Sequence, residues 1–300
     1  DRQPVAGRAE ERLDLAEDEE LMKLMGLANF QSVFVGIESP NEESLLETKK
    51  VQNVRPNAGT LLERVRCIQQ HGIDVLCGMI LGFDHDDASM FDAVPKFIGD
   101  ARIANALIGL LHAIPTTPLY ARLRDAGRLN GPEDTDRFGT NVIPLRLSRE
   151  ELRDGFIEAM ERTYTADAYF ARLDGLFIEE GFDVILYRLP YWRHHRLAWA
   201  KQLLGAYVKA LVISVRLLRN VDDAALRSRY RLQLLHAAHF LWRNPHMLFV
   251  YAMKTAMHPH YAALTQALRE AKGTAAAMPD ATRSFSRSTR PNVTPTAALP

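Results

Sequence analysis

The sequence predicts an α/β fold, a set of parallel strands with helices between them, followed by an all-α half. Three observations predict it. Apolar runs of strand length alternate with helical apolar stripes through the N-terminal part; the runs recur at the spacing of a βαβ unit; and past a polar connection only helical periodicity remains.

The elements follow in order. Acidic Glu17 to Glu20 precede Leu21, Leu24, Met25 and Ala28, a helical period with negative charge at the end where a helix favours it, so a helix is expected from Ala16 to Ala28. Val33 to Ile37 (VFVGI) is a short continuous apolar run, as in a strand buried on both faces. Leu61, Leu62, Val65 and Ile68 form a helical stripe that ends near Gly72, and Val75 to Phe83 (VLCGMILGF) gives a second strand. Phe91, Val94, Phe97, Ile98 and Ala101 mark the next helix, and Ala106 to Ala113 (ALIGLLHA) the third strand. Strand starts roughly 30 to 40 residues apart imply parallel pairing. Arg128 to Leu147 is a polar connection rich in Gly, Asp and Pro. Ser148 and Glu151 have capping-box spacing, and Leu152, Phe156, Ala159 and Thr163 step along one helical face behind them. Four or five helices are expected from there to Lys272, with breaks near Gly181, Pro190, Asn220 and Pro245. The domains are therefore 1–147, 148–272 and a disordered tail over 273–300, where large apolar residues are too few to offset the entropy of ordering.

Composition narrows the function classes. Of 300 residues, 37 are Lys or Arg and 37 Asp or Glu, so no global field draws the chain to nucleic acid or to an anionic membrane, and polyanion binding would need a local patch. Two cysteines, Cys67 and Cys77, are too few for a disulfide framework and sit in apolar stretches, which suits a reducing, cytoplasmic setting. The chain begins at Asp1 with a polar, charged segment rather than an apolar leader, and is expected to start inside a longer protein. Leu197 to Leu218 is the most apolar stretch, but Lys201, Lys209 and Arg216 interrupt it, so it is not a membrane span. Core packing is the expected use of its apolar face, with a peripheral membrane contact as the alternative.

Three segments at strand ends can carry chemistry. Glu38 and Ser39 close the first strand, where parallel α/β folds gather ligands; the simpler reading pairs Glu38 with a lysine and lets Ser39 cap the turn before Pro40. Gly78, Ile80 and Gly82 lie on the second strand, two glycines four apart that let a backbone or flat ligand approach, with Asp84, Asp86 and Asp87 behind them; Asp86 or Asp87 is expected as the N-cap of the following helix. His112, Ile114 and Pro115 close the third strand, in a turn that Pro115 and Pro118 hold rigid. In the helical half, His236 and His239, with His246, His258 and His260, have spacings compatible with a metal, though ordinary packed or solvated histidines are the expected reading.

Taken together, DLAEDEELMKLM, VFVGIESPNEESL with Lys49 or Lys50 and Gln52-Asn53, GMILGFD, LLHAIPTTPLY, Asn141 to Pro144 and SREEL resemble, in order and spacing from Leu13 to Arg172, the radical S-adenosylmethionine (SAM) enzymes that carry a cobalamin-binding domain and a helical C-terminal domain, the hopanoid 2-methylase-like group. The resemblance implies that the strands are the last three of a partial (β/α)6 barrel. It also implies that SAM contacts Glu38, Ser39, Gly78, Ile80, Gly82, His112, Ile114 and Pro115. In full length it implies reductive SAM cleavage by a [4Fe-4S] cluster and cobalamin-dependent methylation of an unknown substrate, with a lipid as one candidate. The C-x3-C-x2-C cluster loop and the cobalamin-binding histidine motif are absent, so no metal ligands are expected in this chain and the chain alone is expected to be inactive. Thr116 stands where the family commonly has glycine, and Asp86 where related groups often have glutamate. The alternatives are a noncatalytic scaffold that binds a partner or membrane surface, and an α/β enzyme with another cofactor. Nucleic acid is not an expected partner, and the expected location is cytoplasmic, with a possible peripheral membrane contact.

Overall fold

The computed structural model describes residues 7–11, 13–41, 44–45, 59–130 and 139–277, with side chains described over these from residue 13 to 272. Four parallel strands form one sheet in sequential order: β1 (Gly7–Glu11), β2 (Phe30–Glu38), β3 (Asp74–Leu81) and β4 (Ala106–Leu110). One more strand is present than the sequence pattern predicts. The segment GRAEE that forms β1 lacks the apolar run by which the other three are recognised, and its pairing with β2 is what places it in the sheet.

The helices between strands are set by caps and apolar stripes. Leu13–Glu17 forms a 3-10 turn, and α1 (Glu19–Leu27) starts at Asp18, whose side chain accepts from Leu21 N; the single helix expected from Ala16 is thus two pieces. A full capping box between Thr60 and Glu63 opens α2 (Leu61–Gln70). The helix α3 (Met90–Asp100) follows β3. Val65 and Ile68 of α2 and Val94 and Ile98 of α3 pack on one sheet face with Val33, Val35, Ile37, Val75, Cys77, Met79, Leu81 and Ile108, all buried. Only alternate strand residues reach that core, so the expectation that the strands are buried on both faces holds for one face.

The other face is open. It carries Phe34 and Gly36 of β2, Leu76, Gly78 and Ile80 of β3, and Leu107 and Gly109 of β4, none of them buried. Leu107 is 63% exposed although β3 and β4 pair through it.

Beyond β4 come α4 (Pro118–Asp125), then α5 (Arg149–Tyr164), which opens on the Ser148–Glu151 capping box as its spacing predicts. The helical half continues through α6 (Ala166–Asp174), a π-helical turn at Gly175–Glu179, the short α7 (Leu189–His194), α8 (Arg196–Asn220), α9 (Ala224–Leu241) and α10 (Pro245–Ala277). Among the described residues, six α-helices from α5 onward exceed the four or five expected; Thr165 both ends α5 and caps α6, which divides one expected helical stretch in two. The helix α10 runs on to Ala277, past the expected end at Lys272; the remainder of the expected tail lies outside the described residues. Among the described residues, no helix is long and apolar enough to cross a membrane.

The helical half joins the sheet by buried polar contacts as well as apolar packing. Tyr164 at the end of α5 bonds both the N–H and the carbonyl of Ala106, filling the open edge of β4. Lys254 of α10, only 3% exposed, reaches Asp74 Oδ2 at 2.6 Å and Asn105 Oδ1 at 2.9 Å, at the starts of β3 and β4. Core packing accounts for only part of α8. Ala206, Ala210 and Leu217 are buried, but Leu197, Leu204, Val208, Leu211, Val212 and Val215 are exposed, which corrects the expectation that the apolar stretch serves the core.

Candidate functional site

The carboxyl ends of β2, β3 and β4 bring the predicted residues to one rim. Parallel pairing aligns Gly36 with Gly78 and Ile80 with Gly109, so adjacent backbones on the open face lie about 4.8 Å apart with little side chain between them. Among the described residues, a Cβ added at Gly109 would meet nothing within 4 Å, so this part of the face is an open cradle. Gly78 is different: a Cβ there would lie 3.2 Å from Phe34 Cζ, so the protein's own ring takes that space.

Glu38 ends β2 with φ +69°, a left-handed conformation that costs a non-glycine residue about 1 kcal/mol or more. The pairing to β3 shifts there, with Glu38 opposite Met79 after Gly36 opposite Gly78, and the extra residue re-aims the carboxylate. Ser39 is fully buried and its Oγ accepts from Asn41 N at 3.1 Å; as expected on the simpler reading, it holds the turn.

The loop after β3 is built on Asp86, 2% exposed. Its Oδ2 accepts from Gly82 N at 2.9 Å and Phe83 N at 3.1 Å, and its Oδ1 from the Ser44 hydroxyl at 2.8 Å. This corrects the N-cap expectation: Ser89 occupies the cap position of α3, Asp87 accepts from Ser89 N and Oγ, and Asp86 instead ties the β3 loop to the segment after β2. The bonds from Ser89 hold the Asp87 carboxyl below its ordinary pKa. Gly82, at φ +106°, adopts a backbone that side chains rarely tolerate, and a Cβ would press on Leu152 of α5 at 3.0 Å.

After β4, Asn141 acts as a strand partner: its side chain accepts from Ala113 N at 2.8 Å and donates to Ala113 O at 2.9 Å, while Thr140 Oγ1 donates to Leu111 O. That clamp presents His112, Ile114 and Pro115 outward, all exposed, with His112 Nδ1 2.9 Å from Gly139 O. Asn141 was visible in the sequence as part of a motif, but its role depends on a contact 28 positions away. Lys49, Lys50, Gln52 and Asn53 lie outside the described residues.

A second concavity, which the sequence did not signal, lies at the opposite end of the strands. A cavity of about 570 Å³ is bounded by Gln31 and Ser32 of β2, Asp74 and Leu76 of β3 and Asn105, and by Arg188, Trp192, Lys209, His246, Phe249 and Lys254 of the helical half. Leu76 belongs to the open face, two residues below Gly78. Three buried polar atoms of its lining, Asp74 Oδ1, Trp192 Nε1 and His246 Nδ1, have no hydrogen-bond partner among the described residues. Arg188 lies over the Trp192 ring, and Trp199, behind the lining, stacks on both Trp192 and His246. Burial lowers the pKa of His246 and of Arg188. The helical half closes this cavity at the amino ends of the strands, and the start of α5 touches the rim through Leu152.

Among the described residues no group of three His, Cys, Asp or Glu is placed to hold a metal. Cys77 is fully buried with its thiol pushed up to about 12, and burial also raises Cys67. His258 is buried between the Tyr230 hydroxyl (2.7 Å) and Tyr164 O (3.1 Å), and His236 lies 3.8 Å from Asp174. The histidines are therefore spread over separate contacts.

Residues 117–274 match a family described as a domain of unknown function, DUF4070. The chain belongs to this family. DUF4070 occurs in cobalamin-binding radical SAM methylases, so the resemblance drawn from the motifs stands. The chain is also 33% identical over 165 residues to the hopanoid C-2 methylase of Rhodopseudomonas palustris, covering 55% of this chain and 30% of that protein. It is 34% identical over 181 residues to an uncharacterized methyltransferase of Synechocystis, covering 59% of this chain and 33% of that protein. The DUF4070 chain thus spans about a third of the length of these relatives.

Proposed function

We propose that this DUF4070 chain supplies the SAM-facing rim and part of the substrate chamber of a radical SAM methylating enzyme, with its sheet as the later half of a partial barrel. The observation that carries the reading is the open sheet face: a parallel strand with Leu107 exposed at its centre, beside the unfilled cradle at Gly109 and the strained Glu38 at the rim. Parallel sheets are covered on both faces in folded proteins, so such a face fits a barrel interior closed by further strands and a ligand.

The residues present fit SAM. Exposed Ile114 and half-exposed Ile80 offer apolar surface to a purine, and Gly109 leaves room for a ring to approach the backbone. The Glu38 carboxylate can accept from ribose hydroxyls or the methionine amine. SAM supplies the methyl group or the radical source; the chain's part is to bind, orient and exclude water. The described residues do not fit an iron-sulfur cluster or cobalamin: half-buried Cys67 and buried Cys77 stand on separate elements, and no ligand set is assembled among them. No step is drawn through either group.

The cavity at the amino ends adjoins the open face through Leu76, and its lining sets apolar Leu76, Trp192 and Phe249 beside charged Asp74, Arg188, Lys209 and Lys254, which suits a ligand with both apolar and polar parts. The names of the two relatives favour a methylation, and that of the hopanoid methylase a lipid substrate.

The test is SAM affinity of the complete protein with Glu38 replaced by alanine, by equilibrium dialysis. Loss of a charged hydrogen-bonding partner weakens binding about tenfold or more, on the order of 1.5–3 kcal/mol. Unchanged affinity removes Glu38 from the site.

A further inference from the structure

The neutral total charge hides a strong segregation. Between Val184 and Arg269 there are thirteen Lys and Arg against two acids, Asp222 and Asp223. The helix α8 alone carries Arg196, Lys201, Lys209, Arg216 and Arg219 and no acidic residue over 25 residues. Among the described residues, none of these five is ion-paired.

The same helix is apolar on two opposite sides. Ala206, Ala210 and Leu217 face the protein, and Gln202, Ala206 and Lys209 line the cavity. Turned away from them, Leu197, Leu204, Val208, Leu211 and Val215 fall on one stripe at helical spacing, with Leu197 90% and Leu211 65% exposed. At 1.5 Å per residue the stripe is about 27 Å long. Lys201 and Arg219 share its azimuth near its two ends, and Arg216 flanks it. At its side Tyr207 of α8 donates to Trp242 O, just past the end of α9, and Trp242 is exposed, as are Leu232 and Leu235 of α9.

We infer that the exposed face of α8, with the end of α9, docks on an anionic lipid bilayer surface. A long aliphatic stripe, cations at its ends and flanks, an aromatic ring at its edge and no carboxylate on α8 itself match acyl chains beneath anionic headgroups. Five cations on a helix without acids have no comparable fit with a neutral membrane. The inference stands apart from the proposed SAM chemistry, since it concerns a surface remote from the rim.

The experiment is vesicle co-sedimentation of the 300-residue chain, with Trp emission as a second readout. Vesicles of phosphatidylcholine with a third phosphatidylglycerol should pellet the chain and shift its emission to the blue; pure phosphatidylcholine should not, and high salt should weaken the binding. Lys201→Glu with Arg219→Glu should lower partitioning about tenfold or more. Leu204→Glu with Leu211→Glu should abolish it while circular dichroism and the unfolding midpoint stay unchanged, since both positions are exposed. No pelleting on anionic vesicles, or pelleting that both double variants leave intact, overturns the proposal. So does light scattering that shows a dimer broken by the Leu204/Leu211 pair and no vesicle binding, for the stripe is then an interface between copies.

Discussion

Thr116 takes φ +71°, a left-handed conformation that a β-branched residue adopts only under strain. The sequence had raised this position, since the resembling family commonly has glycine there, and the backbone gives the reason: only glycine enters that region at no steric cost. Thr116→Gly should therefore stabilise the chain by about 1 kcal/mol, seen as a higher urea midpoint with unchanged slope. A lower midpoint would mean that the threonine side chain contributes more than the strain costs. Glu38 carries the same strain at the rim, at the position where the proposed function needs a carboxylate. Asp86 shows why residue roles are hard to read locally. Its position before a helix suggested an N-cap, but its two oxygens serve three donors, one of them 42 positions away.

At the scale of elements, strand and helix positions followed from periodicity because each large apolar side chain had one face to serve. Val33 to Ile37, Val75 to Leu81 and the Ser148 capping box all lie where the pattern places them. The exception is β1, whose polar segment is strand only because β2 offers it a free edge. The docking of α10 was not legible either, since it rests on an ion pair between residues 180 positions apart in sequence, Lys254 and Asp74. Lys254→Ala leaves a buried carboxylate uncompensated and should cost about 3–5 kcal/mol in chemical denaturation, while Asp74→Ala with Lys254→Met should recover much of the loss. A single variant as stable as the parent would show that the pair contributes nothing to docking.

At the scale of the molecule, two histidines tie stability to pH. Desolvation lowers the pKa of both His246 and His258 from the ordinary value of 6.5. In the unfolded chain they take up protons near pH 6.5, and in the folded chain only at lower pH. Their contribution is complete above 6.5 and is lost as pH falls toward their folded-state values. The urea midpoint should fall between pH 7.5 and 5.5, and His258→Asn should reduce the drop; a flat profile over that range would show that neither histidine is held neutral. The charge segregation belongs to this scale too. A balanced composition excluded a global field but not a basic helical half, and the patch became visible once Val184 to Arg269 lay on one set of helices.

By itself the sequence determined the strand–helix order, the capping residues, the family and the three strand-end segments, because these depend on local spacing and on residue type. Tertiary structure decided which sheet face stays open, that Asp86 and Asn141 clamp loops, and that a cavity lies at the amino ends of the strands. It also turned the apolar side of α8 outward. Each of these depends on contacts between distant residues or on what an apolar surface finds to cover it, and an apolar stripe reads the same in sequence whether it is buried or bare.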